Sequence, residues 1–230
     1  MGMETLRFIL AKIPSVGLTS QESSFRSAVT RSCEVETRAE HIVERNLELA
    51  AGAGAAHLLR TFPLPPGAPE GSLPAGKFIL TSPLAGWGAK QWPMERWSEL
   101  ASLLDVPLVV NGPPDAASVL QQVRGAQVHL SGLAGLIDAT RRAHAVIGVD
   151  SGPLHLAAAL SKPGVAIYGP TDPARNGPYG GTIRVLRSPD AATDYSRRAT
   201  PHSSMLAITP HMVADALAAA LEASSAGCRA

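Results

Sequence analysis

From Lys77 onward, short runs rich in Val and Ile alternate with stretches of helical spacing, and this alternation restricts the fold more than any other feature of the chain. The segments "KFILTS", "PLVVNG", "AQVHL", "HAVIGVD" and "GVAIYG" read as strands, with "TIRVL" as a further one. Between them, residues 94–104, 115–123, 133–142 and 153–160 read as helices, and 210–222 as a terminal helix rich in Ala and Leu. Short apolar strands separated by helices predict a parallel sheet covered by helices on both faces, a Rossmann-like α/β domain. The chain's 230 residues, 45% of them hydrophobic, suffice for a substantial core.

The part before this domain is less regular. The first forty residues show no sustained period and read as a remnant or a loosely packed arm. Residues 40–56 space Ile42, Val43, Leu47, Leu49 and Ala50 as one face of an amphipathic helix ending at Gly52 or Gly54. The stretch "FPLPPGAPEGSLPAG" is too dense in Pro and Gly for regular structure and marks a connector. The expected organisation is therefore a partial first domain over 1–62, a connector over 63–76 and a nucleotide-binding domain over 77–230.

A net charge of +1, from 20 basic and 19 acidic side chains, points to neither a nucleic-acid surface nor a polybasic membrane patch. An anionic ligand would have to be held by a local site. The two cysteines, Cys33 and Cys228, stand apart in weakly patterned segments, which argues against a disulfide framework or a metal site and fits the cytoplasm. No apolar run approaches the length of a transmembrane helix, and the N-terminus carries no secretory signal pattern.

In doubly wound sheets ligands bind beyond the carboxyl ends of the strands, where helix N-termini offer free amides. The segment "GVDSGPLHLAAAL", 148–160, meets this description. Asp150 follows a strand, Ser151 stands where a helix cap belongs, Gly152 lets a ligand approach the backbone, and Pro153 suits the first helical turn. Amides around Ser151 to Leu154 could accept a diphosphate, with His155 as a further donor, and Asp150 would take sugar hydroxyls instead. On local pattern alone these residues serve equally as a plain helix cap and a core histidine. A second loop, "LTSPLAGWGAKQWPMERW", brings the hydroxyls of Thr81 and Ser82 and the cation of Lys90 to another strand end. Judged by this motif alone, Lys90 reads first as a solvated loop lysine. The loops "YGPTDPARNGPYGG" and "VNGPPD" read as turns that could line a pocket. Walker, GxSxG, paired-cysteine and HExxH patterns are all missing.

Taken in order, "SPLAGWGAKQWPMERWSELASLL" and "VIGVDSGPLHLAAALSKPGVAIYGPTDPARNGPYG" resemble the nucleotide-sugar-binding half of glycosyltransferase family 9, the bacterial lipopolysaccharide heptosyltransferases. The resemblance runs over about 75–224, and "HIVERNLELAAGAG" resembles the helix that closes the family's first domain. It implies a GT-B type α/β fold, here with one complete C-terminal Rossmann-like domain and a partial N-terminal one. It further implies inverting transfer of heptose from ADP-heptose to the lipopolysaccharide core, without a metal or other cofactor. By the same resemblance Thr81, Ser82, Lys90, Ser151 and Gly152 contact the diphosphate, Asp150 holds heptose hydroxyls and His155 lies near the phosphates. Ser131 falls where the family meets adenine through its backbone.

The family's first domain carries a Gly-Asp turn whose aspartate is the proposed general base, and the first 38 residues contain neither that pair nor any aspartate. No catalytic base is therefore assigned, and the acceptor domain is expected to be truncated. The expected partners are the sugar-nucleotide donor, a lipopolysaccharide inner-core acceptor, the inner membrane as a peripheral contact, and a second protein supplying the acceptor domain. The rival expectation is a nucleotide-sugar-binding module without catalysis. A sugar-nucleotide epimerase of similar architecture ranks below both, because acidic catalytic residues from a first domain are not found.

Overall fold

A computed structural model of the chain describes residues 4–10 and 31–227. The chain divides into two compact units, one ending at Arg60 and one beginning at Thr61. In the first, β1 (Glu4–Leu10) pairs antiparallel with β2 (Arg31–Thr37), Leu6 standing opposite Val35 and Phe8 opposite Cys33. Helix α1 (Ile42–Gly52) follows, its first turn capped by the His41 Nδ1, which accepts from the Val43 amide at 3.2 Å. The irregular arm expected over the first forty residues is thus corrected at both its ends: each strand is only seven residues long, too short for its alternation to register as a period. Residues 11–30 of that arm lie outside the described residues. Helix α1 ends at Gly52, as its pattern predicts, and contains no fully buried residue.

The second unit is built on six parallel strands. In chain order its elements are β3 (Ile79–Ser82), α2 (Met94–Leu103), β4 (Leu108–Gly112), α3 (Ala117–Leu120), β5 (Gln127–Leu130), α4 (Leu133–Arg142), β6 (Ala145–Val149), α5 (Gly152–Ala159), β7 (Gly164–Tyr168), α6 (Pro173–Asn176), β8 (Ile183–Arg187), α7 (Ser203–Leu206) and α8 (Pro210–Gly227). The spatial order is β5-β4-β3-β6-β7-β8. Chain order therefore runs outward from β3 in one direction and then, from β6, in the other. The reversal lies between β3 and β6, where open α/β sheets bind their ligands.

Burial explains the arrangement. Every residue of β3, β4, β6 and β7 is buried, so these strands have no wet face and need cover on both sides. One face presents Ile79, Val110, Ile147 and Ile167 to Trp92, Trp97, Leu100, Val213 and Leu217 of the α2 and α8 layer. The other presents Leu80, Val109, Val146 and Tyr168 to Ala139 of α4 and Leu154 and Ala157 of α5. Each such fully buried aliphatic side chain stabilises the fold by about 1.5–3 kcal/mol. Trp92 and Trp97 pack edge to face at 5.0 Å, and the Trp92 indole N–H donates to the Ile208 carbonyl at 3.1 Å. The helix expected over 115–123 is shorter than its pattern suggested: a 3₁₀ turn at Pro114–Ala116 leads into only four α-helical residues. Pro114 opens the turn without an amide, and the Ala116 amide donates to the Pro113 carbonyl at 3.0 Å in the i→i+3 pattern of the tighter helix.

Residues 61–76, which include the connector expected over 63–76, form no helix or strand but belong to the second unit. They lie along β5 and α4 as a strap. The Ala68 amide donates to the Ala134 carbonyl at 3.1 Å, Arg141 donates to the carbonyls of Leu64 and Pro65 at 3.0 Å, and Gln127 donates to that of Ser72 at 2.9 Å. Among the described residues, no helix is long and apolar enough to cross a membrane.

Candidate functional site

Helix α5 opens beside the point where strand order reverses and α4 opens at the edge strand β5, and the chain treats their N-termini differently. That of α4 is occupied by the chain itself: the Glu70 carboxylate from the strap accepts the Gly132 and Gly135 amides at 2.6 and 3.2 Å. An anion is already in place there. The N-terminus of α5 has no such occupant. Ser151 holds the N-cap position in extended conformation, yet its hydroxyl makes no capping hydrogen bond and has no partner. The plain-cap reading of Ser151 is thereby corrected, because the next residues, Gly152 and Pro153, turn the chain without bringing an amide to that hydroxyl. With Gly152 contributing no side chain and open space where a Cβ would stand, this end is the one free to receive phosphate.

The sheet brings the separated sequence segments together around that end. Asp150, 8% exposed, follows β6, and Lys90 comes from the turn after β3 (a 3₁₀ turn, Gly88–Lys90). Their side chains meet at 3.0 Å across the reversal, Lys90 Nζ donating to Asp150 Oδ2. Lys90 is therefore not a solvated loop lysine. His155 Nε2 lies 3.4 Å from the other carboxylate oxygen with its ring 42% exposed, so it is not a core histidine either: it stands at the rim, one turn into α5. Tyr168, at the end of β7, donates its buried hydroxyl to the Asn176 carbonyl at 2.9 Å and stands 3.4 Å from Asp150 Oδ1.

Burial raises the Asp150 pKa, but hydrogen bonds from His155 and Lys90, the charge of Lys90, and the Thr171 hydroxyl facing it outweigh that cost and hold the carboxyl at about 2. The same carboxylate, added to burial, pushes the Tyr168 phenol well above its ordinary range, so it stays protonated and donating. Because the Asp150 pKa is depressed on folding, its contribution to stability is complete above its ordinary value of 3.8 and is lost as pH falls toward 2. In acid titrations of unfolding free energy, the wild type is expected to lose about 2 kcal/mol more between roughly pH 4 and pH 2 than Asp150→Asn. Parallel curves for the two proteins would contradict this assignment.

Hydroxyls complete the site. Thr81 is fully buried at the end of β3 and, like Ser151, its hydroxyl has no hydrogen-bond partner, whereas Thr171, 2% exposed in the loop after β7, faces Asp150. Buried hydroxyls without partners are costly and uncommon. Their concentration at one end of one sheet marks where further polar atoms are accommodated. Ser82 and Ser131 behave differently, since both join Asn111. The Asn111 amide donates to Ser131 Oγ at 2.7 Å, to the His129 carbonyl at 3.2 Å and toward His129 Nδ1 at 3.0 Å, while Ser82 lies 3.5 Å from its oxygen. His129 Nε2 in turn donates to the Glu70 carbonyl at 2.6 Å. The Ser131 amide is engaged as well, donating to the Gly112 carbonyl at 3.1 Å. Thr81, Ser82, Lys90, Asp150, Ser151, Gly152 and His155 all gather where β3 and β6 end and α5 begins, and Ser131 stands at the end of the edge strand β5, beyond β4. Sequence reasoning missed Tyr168, Thr171, Asn111 and Glu70. The first two sit at the start of the turn-rich "YGPTDP", whose composition was the available signal.

An open parallel sheet with a lysine, an acid, unpartnered hydroxyls and a free helix N-terminus at its reversal point is a doubly wound α/β domain whose polar groups converge where such sheets bind ligands. The profile of glycosyltransferase family 9 (heptosyltransferase) matches residues 5–205, and the chain belongs to that family. The match takes in the N-terminal strands, beyond the segments in which the sequence resemblance was read. Lipopolysaccharide heptosyltransferase 2 of Escherichia coli K12 is 31% identical over 222 residues, covering 78% of this chain and 61% of that protein. Lipopolysaccharide heptosyltransferase 1 of the same strain is 36% identical over 109 residues, covering 44% of this chain and 34% of that protein. Among solved structures, E. coli ADP-heptose LPS heptosyltransferase II aligns with a TM-score of 0.53 at 28% identity, over 65% of this chain and 47% of its own. The E. coli heptosyltransferase WaaC with ADP aligns with 0.52 at 28%, over 64% and 45%. These are GT-B heptosyltransferases, and the six-stranded sheet has their α/β architecture. The chain spans between about a third and three fifths of the length of the E. coli relatives it matches.

Proposed function

We propose that this chain binds ADP-heptose and serves inverting, metal-independent transfer of the heptose to a lipopolysaccharide inner-core hydroxyl. The Lys90–Asp150 pair beside the free N-terminus of α5 is the observation that carries the reading. On donor binding, Lys90 and the α5 amides meet the diphosphate, while Asp150, ionised down to about pH 2, accepts hydrogen bonds from the sugar hydroxyls. The acceptor oxygen forms its bond to the anomeric carbon from the face opposite the diphosphate. The bond from that carbon to the phosphate oxygen breaks and its electron pair leaves with ADP. Lys90 and the helix end stabilise the charge that develops there, a role that needs no metal. The acceptor's proton passes to a base, and Asp150 is unsuited to that part because its carboxylate is held so acidic. We infer that the base and the acceptor surface come from a further domain or partner at the cytoplasmic face of the inner membrane.

Calorimetric titration with ADP and with ADP-heptose tests the donor site. The wild type is expected to bind both saturably, ADP-heptose the more tightly. Asp150→Ala is expected to reduce the advantage of ADP-heptose over ADP by about tenfold, since hydrogen bonds to a charged acceptor contribute about 1.5–3 kcal/mol. Absence of ADP binding by the folded wild type would overturn the donor reading. Incubating the chain with ADP-heptose and a heptose-deficient core then separates transfer from binding alone: a mass increase of one heptose supports catalysis, and none with binding intact supports the binding module.

A further inference from the structure

Beside the Lys90 turn lies a segment that neither the motifs nor the function described so far employs. Residues 188–202 run from β8 back across the site edge and are fastened on two sides. Toward the loop after β7, the Asp194 amide donates to the Pro170 carbonyl at 2.8 Å, and Arg187 donates to the Gly169 carbonyl at 3.1 Å and to Thr193 Oγ1 at 3.0 Å. Toward the Lys90 turn, the Ala89 amide donates to the Arg198 carbonyl at 3.0 Å and the His202 amide to the Ala89 carbonyl at 3.1 Å. A Cβ on Gly88 would stand 1.8 Å from the Ala199 oxygen, so the two backbones touch where only glycine fits. The position of Arg197 is therefore set by backbone contacts on either side.

Its side chain is equally defined. The Arg197 guanidinium lies over the Trp87 ring, 5.3 Å from the centroid, and Lys90 Nζ lies 4.7 Å from the centroid of the same ring. The neighbouring Arg198 is committed to Asp194 and Ser196. Lys90 has Asp150. Arg197 has no carboxylate partner among the described residues, so its contact with the indole orients it while leaving its charge available. Two cations on one ring repel each other, and an anion carrying more charge than Asp150 relieves that repulsion.

We propose that Arg197 is a second diphosphate-binding cation of the donor site, placed by Trp87 to share the diphosphate with Lys90. Arginine suits this part, since its planar fork binds phosphate oxygens in pairs. The proposal rests on the donor reading above and adds to it a residue from a different segment of the chain.

The test is calorimetry with ADP and with AMP on the wild type, Arg197→Ala, Arg197→Lys and Arg198→Ala. Arg197→Ala is expected to weaken ADP by about tenfold at low salt, AMP by less than about twofold, and to flatten the salt dependence of ADP binding. Arg197→Lys should recover part of the loss, and Arg198→Ala should bind ADP as the wild type does. ADP affinity unchanged in Arg197→Ala, with the wild type binding well, would overturn the proposal alone. Equal losses for ADP and AMP would overturn it too, because a general disturbance of Trp87 would not single out the second phosphate. A wild type that does not bind ADP would remove the donor reading and this inference together.

Discussion

Lys90→Ala is expected to cost the protein both ligand and stability. The Lys90 and Asp150 side chains are 15% and 10% exposed, so removing the lysine leaves a carboxylate in a largely dry site. Breaking one side of a buried pair costs about 3–5 kcal/mol. Here His155 and Tyr168 remain within 3.4 Å of the carboxylate, which places the expectation at the lower end, about 3 kcal/mol. For the ligand, the lost charge-assisted contact predicts a tenfold to hundredfold weaker ADP affinity, about 1.5–3 kcal/mol. The two effects part in the double variant. Adding Asp150→Ala to Lys90→Ala removes the stranded charge, so the denaturation midpoint should rise again while ADP binding stays weak. A Lys90→Ala protein with wild-type midpoint and wild-type ADP affinity would reduce the pair to a bystander.

This pair also shows where sequence reading reaches its limit. Each partner was legible by itself: Asp150 because "AVIGV" delivers it to a strand end before a Gly-Pro helix start, Lys90 because it follows a strand within a glycine-rich loop. Their contact was not legible, since it joins residues sixty positions apart and depends on β3 lying beside β6. Alternating strands and helices predict a parallel sheet, and the order of the strands emerges only from tertiary packing. Glu70 illustrates the same point from the other side. Proline and glycine around it announce irregular backbone correctly, but composition says nothing of its carboxylate reaching Gly132 and Gly135. Because α4 is capped in this way and α5 is not, the choice between two similar helix ends is made by a strap that local pattern reads only as a connector. The antiparallel pair of β1 and β2 escaped for a simpler reason: two seven-residue strands separated by residues 11–30 carry too little repetition to be distinguished from loop.

Gly164→Ala is expected to be the most damaging small change in the sheet. Gly164 opens β7 and stands opposite Val146 of β6, and a Cβ there would lie 1.9 Å from the Val146 carbonyl oxygen and 2.9 Å from its carbon. Neither atom can yield as a flexible side chain does, because both belong to a central strand bonded on its other edge to β3. The strands must part or slide, and forced displacement in a close-packed core costs about 3 kcal/mol or more. Gly148→Ala, two positions before Asp150 on β6, provides the comparison. Its Cβ would meet the Leu154 Cβ and Cδ1, each at 3.3 Å, a crowding that a small shift of α5 relieves, so a loss of about 1 kcal/mol is expected. Chemical denaturation of the two variants should therefore separate them by about 2 kcal/mol, with Gly164→Ala the weaker. Its consequences extend to the site, because β6 leads to Asp150 and β7 ends at Tyr168, the two groups whose oxygens lie 3.4 Å apart. ADP-heptose should lose its advantage over ADP in Gly164→Ala even at temperatures where the protein remains folded. Equal stability of the two variants would mean that the β6–β7 contact is looser than its geometry indicates, and that the placement of Asp150 does not depend on it.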